Sequence, residues 1–368
     1  MSVSAQRAPA AERTEPPRRR RARSNTLVVI ALTLGLLLVI LVSVGTGSVH
    51  VGTLDAAKLV LGHLVPGMPW MTDGTYTALQ DQAVWRFRLP RVLLAAITGA
   101  CLALAGGLMQ AVVHNPLAEP YVLGVSSGAG VGAVLVVVGA GGAVGGLSLS
   151  SAAFVGAAVA TAAVYLLARK NGRIAPQRLI LAGVALGSLF SAVTSYLTLT
   201  TEAQNVFSVM FFLLGSVSAA TMGSLLVPAL ALLFALVVVA FNIRGINAVL
   251  IGDEAATALG IQVDRLRTVL LLVSALLVGA VVSVSGSIGF VGLIIPHIAR
   301  ITVGSDHRIM LPVSVLGGAF FLAGADLLAR TVAAPTEIPI GILTAVVGAP
   351  FFLWIMRRDG ASKAGMDR

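Results

Sequence analysis

From Leu27 to Val44 the chain reads LVVIALTLGLLLVILVSV, and no Asp, Glu, Lys or Arg occurs anywhere between Arg23 and Asp55. A helix crossing the hydrocarbon of a bilayer needs roughly 20 apolar residues, and this run supplies them. The pattern repeats along the sequence. Only Glu119 interrupts the stretch from Arg91 to Arg169, only Glu202 that from Arg178 to Arg244, and nothing charged lies between Arg267 and Arg300. Of the 368 residues 57% are hydrophobic and 11% charged, about half the charge share of a soluble domain. That excludes a soluble enzyme and a disordered chain. A disulfide scaffold is excluded too, because Cys101 is the lone cysteine and sits in an apolar run. Runs of about 20 residues exceed the 9 to 11 of a barrel strand, so the spans are helices. The chain reads as an all-α polytopic membrane protein.

The formal charge is +10, with seven of the 25 basic residues in the first 23 positions, ending in Arg18-Arg19-Arg20-Arg21-Ala22-Arg23. A basic tail ahead of a span fixes orientation, so no nucleic-acid partner follows from it. The tail and first run are not read as a cleaved signal peptide, since no clear Ala-x-Ala site follows and the run is long enough to span. Ten spans are expected, at residues 27–44, 91–112, 121–140, 151–167, 179–199, 223–241, 268–284, 288–303, 311–328 and 338–356. An even number puts both termini on one side. All basic residues but Lys58, Arg86, Arg88, Arg91 and Arg330 then share that side, which the positive-inside bias makes cytoplasmic in a plasma (inner) membrane. The expected organisation is a disordered basic tail over 1–26, a membrane domain over 27–358 and a cytoplasmic tail over 359–368.

Two connections are too long to be simple turns. The external one, 45–90, contains Pro66, Pro69, Trp70 and Trp85 and reads as carrying an interfacial segment. The internal one, 242–267, reads as short amphipathic helices. In Gly252-Asp253-Glu254-Ala255-Ala256-Thr257-Ala258-Leu259-Gly260 the acids suit a helix start and the glycine its end. Its apolar residues are small, a poor lipid anchor, so it is expected to dock a partner. Glycines cluster as Gly99, Gly106 and Gly107, then Gly124, Gly128, Gly130 and Gly132, a composition that lets membrane helices approach closely.

No Walker A loop is present, since none of Lys58, Lys170 and Lys363 follows the required glycine. The five histidines show no paired ligand spacing among themselves or with Cys101, so neither metal nor cofactor is expected. Gly124-Val125-Ser126-Ser127-Gly128 matches G-x-S-x-G, which makes an intramembrane serine hydrolase the rival enzyme. That motif needs a strand-turn-helix setting, whereas here it opens a glycine-rich span. The reading is close packing, with no catalytic residue and no enzyme activity. Asp326 is a carboxylate well inside a span and stands four residues before Arg330. The order favours a helical ion pair, while an ion-coupled secondary transporter would need a longer relay.

Four stretches together resemble the FecCD family of permease subunits from binding-protein-dependent ABC importers. They are Arg88-Leu89-Pro90-Arg91; Gly106-Gly107-Leu108-Met109-Gln110 running into Asn115-Pro116-Leu117-Ala118-Glu119-Pro120 and Leu123-Gly124-Val125-Ser126-Ser127-Gly128; Gly289-Phe290-Val291-Gly292-Leu293-Ile294-Ile295-Pro296-His297-Ile298-Ala299-Arg300; and Glu337-Ile338-Pro339-Ile340-Gly341 with Gly348-Ala349-Pro350-Phe351-Phe352. The resemblance implies the type II importer architecture: ten helices, a second permease subunit, identical or related, two ATP-binding subunits below and an extracytoplasmic substrate-binding protein above. It implies that Gly252, Asp253, Glu254, Ala255, Leu259 and Gly260 seat in the ATP-binding subunit, that Asn115, Pro116 and Leu117 form a cytoplasmic gate, and that Arg88, Arg91 and Arg330 receive acidic residues of the binding protein. The implied cargo is an iron(III)-siderophore, with haem or cobalamin as the alternative.

Overall fold

The computed structural model describes residues 17–140, 148–170, 173–174 and 176–364. Fourteen α-helices run through them: α1 (Pro17–Gly45), α2 (Thr53–Leu64), α3 (Ala78–Gln82), α4 (Leu89–Val113), α5 (Val125–Ala140), α6 (Leu149–Ala168), α7 (Pro176–Thr200), α8 (Ala203–Leu214), α9 (Leu226–Val249), α10 (Asp253–Ala258), α11 (Val263–Ser285), α12 (Val291–Val303), α13 (His307–Thr331) and α14 (Ile340–Ala364). A two-residue antiparallel ladder joins Arg169–Lys170 to Arg173–Ile174.

Each of the ten expected spans coincides with a helix. Seven stretches among the described residues are long and apolar enough to cross a membrane. The helical parts of three other expected spans, Val125–Val138, Val291–Val303 and Ile340–Ile355, are shorter. The differences lie at the edges. α1 begins at Pro17, so the last ten residues of the expected disordered tail are helical; arginine is a good helix former and nothing breaks the run before Leu27. The second span begins well before Arg91, because α3, a π-helical segment Ala83–Arg88 and α4 form one continuous helical rod over Ala78–Val113. α8 was not expected as a helix at all. It is only 12 residues long, too short to span by itself. Residues 1–16 and 365–368 lie outside the described residues.

α4 is the axis of the fold. It packs against α13, α11 and α12, α5 packs against α6 and α7, and α1 lies on α13. Glycine decides how close these helices come. A Cβ on Gly106 would stand 1.8 Å from the Gly292 carbonyl oxygen of α12, and one on Gly99 would stand 2.0 Å from that of Gly318 in α13. Such approach leaves no room for any side chain, and the gain is backbone packing in a medium where hydrophobicity does not drive helices together. Pro296, within α12, brings no N–H for the Gly292 carbonyl one turn earlier. Gln110 of α4 takes its place, with Nε2 donating to Gly292 and Leu293 at 3.4 and 3.3 Å. Its Oε1 accepts from Arg300 at 3.0 Å.

The 45–90 connection carries α2 and the 3₁₀ turn Pro69–Met71. It is held by Tyr76 donating to Asp55 at 2.9 Å and by Trp70 donating to the Lys58 carbonyl at 3.0 Å.

Candidate functional site

At one end of α4, Arg88, Arg91 and Arg330 converge. Arg88 and Arg91 are only 6% and 9% exposed, and a buried guanidinium must have its donors satisfied. Arg88 donates to the carbonyls of Val44, Gly45 and Val49. Arg330 donates to Ser43 at 2.8 Å and Thr46 at 3.2 Å. The end of α1 is where helical carbonyls run out of intrahelical partners and where the helix dipole is negative. Two arginines therefore complete α1 and tie it to α4 and α13.

Arg91 differs, because its partners are acids. Its Nε donates to Asp326 Oδ1 at 2.8 Å, and NH1 reaches both oxygens of Glu337 at 2.9 Å. Asp326 is completely buried, while the Glu337 side chain is 44% exposed. The pair expected between Asp326 and Arg330 exists, but at 3.6 Å between Oδ2 and Nε. It is the weaker contact of the two. Arg91 was missed as the main partner because the two residues lie far apart in sequence, and only the α4–α13 packing joins them. The three arginines and Glu337 line an open cleft of about 840 Å³ with Thr46, Phe87 and Pro335. Three cations against two carboxylates leave its floor positive.

At the other end of α4, His114 takes the left-handed conformation with φ of 53°, and the chain turns. Asn115 accepts from the Leu117 N–H through Oδ1 at 2.9 Å and from the Ala118 N–H through its carbonyl at 3.0 Å. Pro116, with its fixed φ, fits the turn between them. Asn115 and Pro116 are exposed, and Leu117 is half-buried.

α10 lies near this turn. Gly252 precedes it with φ of 106° and Gly260 follows with φ of 81°, both in the region that glycine occupies without strain. Asp253 and Glu254 stand in the first turn, where the dipole favours acids. Ala256 is buried, whereas Ile251, Glu254, Thr257, Leu259 and Gly260 are exposed. The 242–267 connection is shorter than expected, because α9 continues to Val249 and α11 starts at Val263. Charged residues do not stop a helix that extends beyond the hydrocarbon.

Two residues that sequence reasoning passed over join these pieces. Arg267 of α11 grips Asp253 with NH1 to Oδ2 at 2.9 Å and NH2 to Oδ1 at 3.1 Å. The same NH2 reaches His114 Nδ1 at 3.0 Å. No local pattern marks them, for each reads as one more polar residue at the edge of a span.

The serine of the G-x-S-x-G match sits at the start of α5, after a 3₁₀ turn over Pro120–Leu123 and not after a strand. Ser126 donates to Ser287 at 2.7 Å. Gly128 packs against α6, where a Cβ would stand 2.3 Å from that of Ala160. Close packing thus accounts for its glycine. Next to it, Glu119 accepts from the Phe290 N–H at 2.7 Å and Tyr121 accepts from Ile288 at 3.0 Å. These bonds secure the approach to α12, where Phe290 has a φ of 69°.

The sequence profile of the FecCD transport family matches residues 35–358. The chain is 40% identical over 315 residues to the cobalamin import system permease protein BtuC of Halobacterium salinarum, covering 80% of this chain and 82% of that one. It is 40% identical over 293 residues to the hemin transport system permease protein HmuU of Yersinia pestis, covering 77% and 87%. Among solved structures, one described as an inward-facing conformation of a putative metal-chelate type ABC transporter superposes with a TM-score of 0.77 at 33% identity, over 90% of this chain and 99% of that one.

Proposed function

The chain belongs to the FecCD transport family, and from that premise we propose that this permease subunit of an ABC importer carries a metal chelate inward, driven by ATP hydrolysis on a separate subunit. The observation that supports inward transport with an external motor is the open face of α10, with Leu259 66% exposed beside the half-open Asp253. An apolar side chain standing clear of the core, on a helix of otherwise small apolar residues that anchor poorly in lipid, is suited to a protein partner. In this reading Gly252 to Gly260 seat in the ATP-binding subunit, both termini are cytoplasmic, and Asn115-Pro116-Leu117 closes the path on that side. Ala255→Arg with Leu259→Arg is expected to release the ATP-binding subunit. Undiminished co-purification would reject the seat.

The arginine cleft then faces outward. Its guanidiniums are largely engaged, so they act on the substrate-binding protein by the positive excess of the cleft floor. Such fields steer and orient an acidic partner. Reversing Arg88, Arg91 and Arg330 would also unfold the α1 anchorage. Glu337→Gln is the cleaner probe, because it raises the excess charge, and it should tighten docking at low salt.

For cargo, an iron(III)-siderophore is the class that the family resemblance implies. A tetrapyrrole chelate is the second, favoured by the relatives named for cobalamin and hemin import. The ligand held by the cognate binding protein decides: a haem or cobalamin complex without siderophore affinity selects the second reading.

A further inference from the structure

We propose that Arg267 is a positioning residue that ties the coupling segment to the gate loop through His114, an inference that rests on the roles given above to 252–260 and 115–117. The geometry is a chain of three side chains. Arg267 is 8% exposed, so its guanidinium is fixed in the core. One edge holds Asp253, the first residue of α10, through two bonds of 2.9 and 3.1 Å, and NH2 also donates to His114 Nδ1 at 3.0 Å. Because arginine can only donate, Nδ1 must accept. The ring proton then sits on Nε2, which donates to the Val249 carbonyl at 3.1 Å.

His114 thereby touches both flanks of the coupling segment. Val249 is the last residue of α9, where the segment begins, and Asp253 is reached through Arg267 in the first turn of α10. On its other side His114 ends α4 in the left-handed conformation and leads directly into Asn115. α4 itself is buried along nearly its whole length, so it has little freedom to shift in a packed interior. A displacement of α10 passed to His114 is therefore expressed in the loop after it. His114 Nε2 also stands 3.9 Å from Asp253 Oδ1, but the route through Arg267 is the shorter one, bidentate at one end and oriented at both.

The test uses the full complex with its ATP-binding subunit in liposomes, with Leu117→Cys as reporter. Native Cys101 is fully buried, so within this chain, resolved from its partners on a gel, a maleimide reads position 117 alone. In the parent complex, ATP should change the labelling rate. In Arg267→Gln and in His114→Gly, which accepts the left-handed backbone without strain, that response should shrink roughly fivefold or more, the low end of measured couplings between sites. Co-purification and ATP hydrolysis should stay unchanged. His114→Asn places an acceptor where Nδ1 was and tolerates the same backbone, so it should keep most of the response. The double variant should lose no more than the worse single one, as members of one chain do not add.

A full response in both Arg267→Gln and His114→Gly overturns the linkage. Loss of the ATP-binding subunit from the Arg267 variant also overturns it, because Arg267 would then be part of the docking surface. A parent complex that shows no nucleotide response at position 117 points instead to failure of the gate reading, and the linkage falls with it.

Discussion

The two ends of α4 carry nearly the same half-open ion pair. At one, Arg91 meets Glu337, which is 44% exposed; at the other, buried Arg267 meets Asp253, which is 45% exposed. What stands behind each arginine differs. Behind Arg91 is Asp326, fully buried and also close to Arg330. Behind Arg267 is the neutral ring of His114, itself 38% exposed. Roughly 35 Å of helix separates the two sites at 1.5 Å per residue, so α4 bridges a bilayer between them. A buried charge network holds its geometry because removing any member strands another charge out of water. A half-exposed pair lets go cheaply, since solvent screens it. The same residue types thus make a fixed joint at one end and an adjustable one at the other.

The largest effect should come from Asp326→Ala, which leaves Arg91 and Arg330 without their buried counter-charge. A loss of about 3–5 kcal/mol is expected, read as a fall in thermal unfolding temperature of the purified protein in detergent. A loss no bigger than that of an exposed pair would break the comparison. Next is Arg88→Gln, which removes charged hydrogen bonds to the Val44 and Gly45 carbonyls at the end of α1 and to the Val49 carbonyl beyond it. About 1.5–3 kcal/mol is expected, and protease cleavage within 46–52 should rise as α1 loosens.

Smallest are the rim carboxylates. Glu337→Gln should cost about 1 kcal/mol or less in stability, since Arg91 keeps Asp326, whereas Asp253→Asn should cost more, since it leaves buried Arg267 without its carboxylate. Transport should separate them further. Asp253→Asn weakens the grip of Arg267 and is expected to lower transport per ATP hydrolysed, whereas Glu337→Gln should leave that ratio alone. Equal transport effects from the two would erase the distinction between the fixed and the adjustable end.

Between the ends the packing is set by glycine. Gly106 and Gly99 were recognised in the sequence as permitting close approach, yet their partners Gly292 and Gly318 emerged only from the fold. Gln110 shows the same limit. It was legible as part of a family motif, but its task of replacing the N–H that Pro296 lacks depends on α12 lying against α4. The start of α1 was not legible, because a charged helical end carries no hydropathy signal of its own, and α8, though apolar, is too short at 12 residues to read as a span.

The sequence by itself determined the class, the approximate spans and the sequence of loops, since uncharged runs of membrane length have few physical alternatives to helices. It also marked Asp253 to Gly260 as a capped, small-residue helix. Only the tertiary structure decided which charges meet. Arg91 finds Asp326, Arg88 and Arg330 complete α1, and Arg267 finds both Asp253 and His114. Except for the Asp326–Arg330 pair, these contacts fall outside the three- and four-residue spacings that local patterns report, and they exist because glycine-mediated contact brings distant helices within side-chain reach.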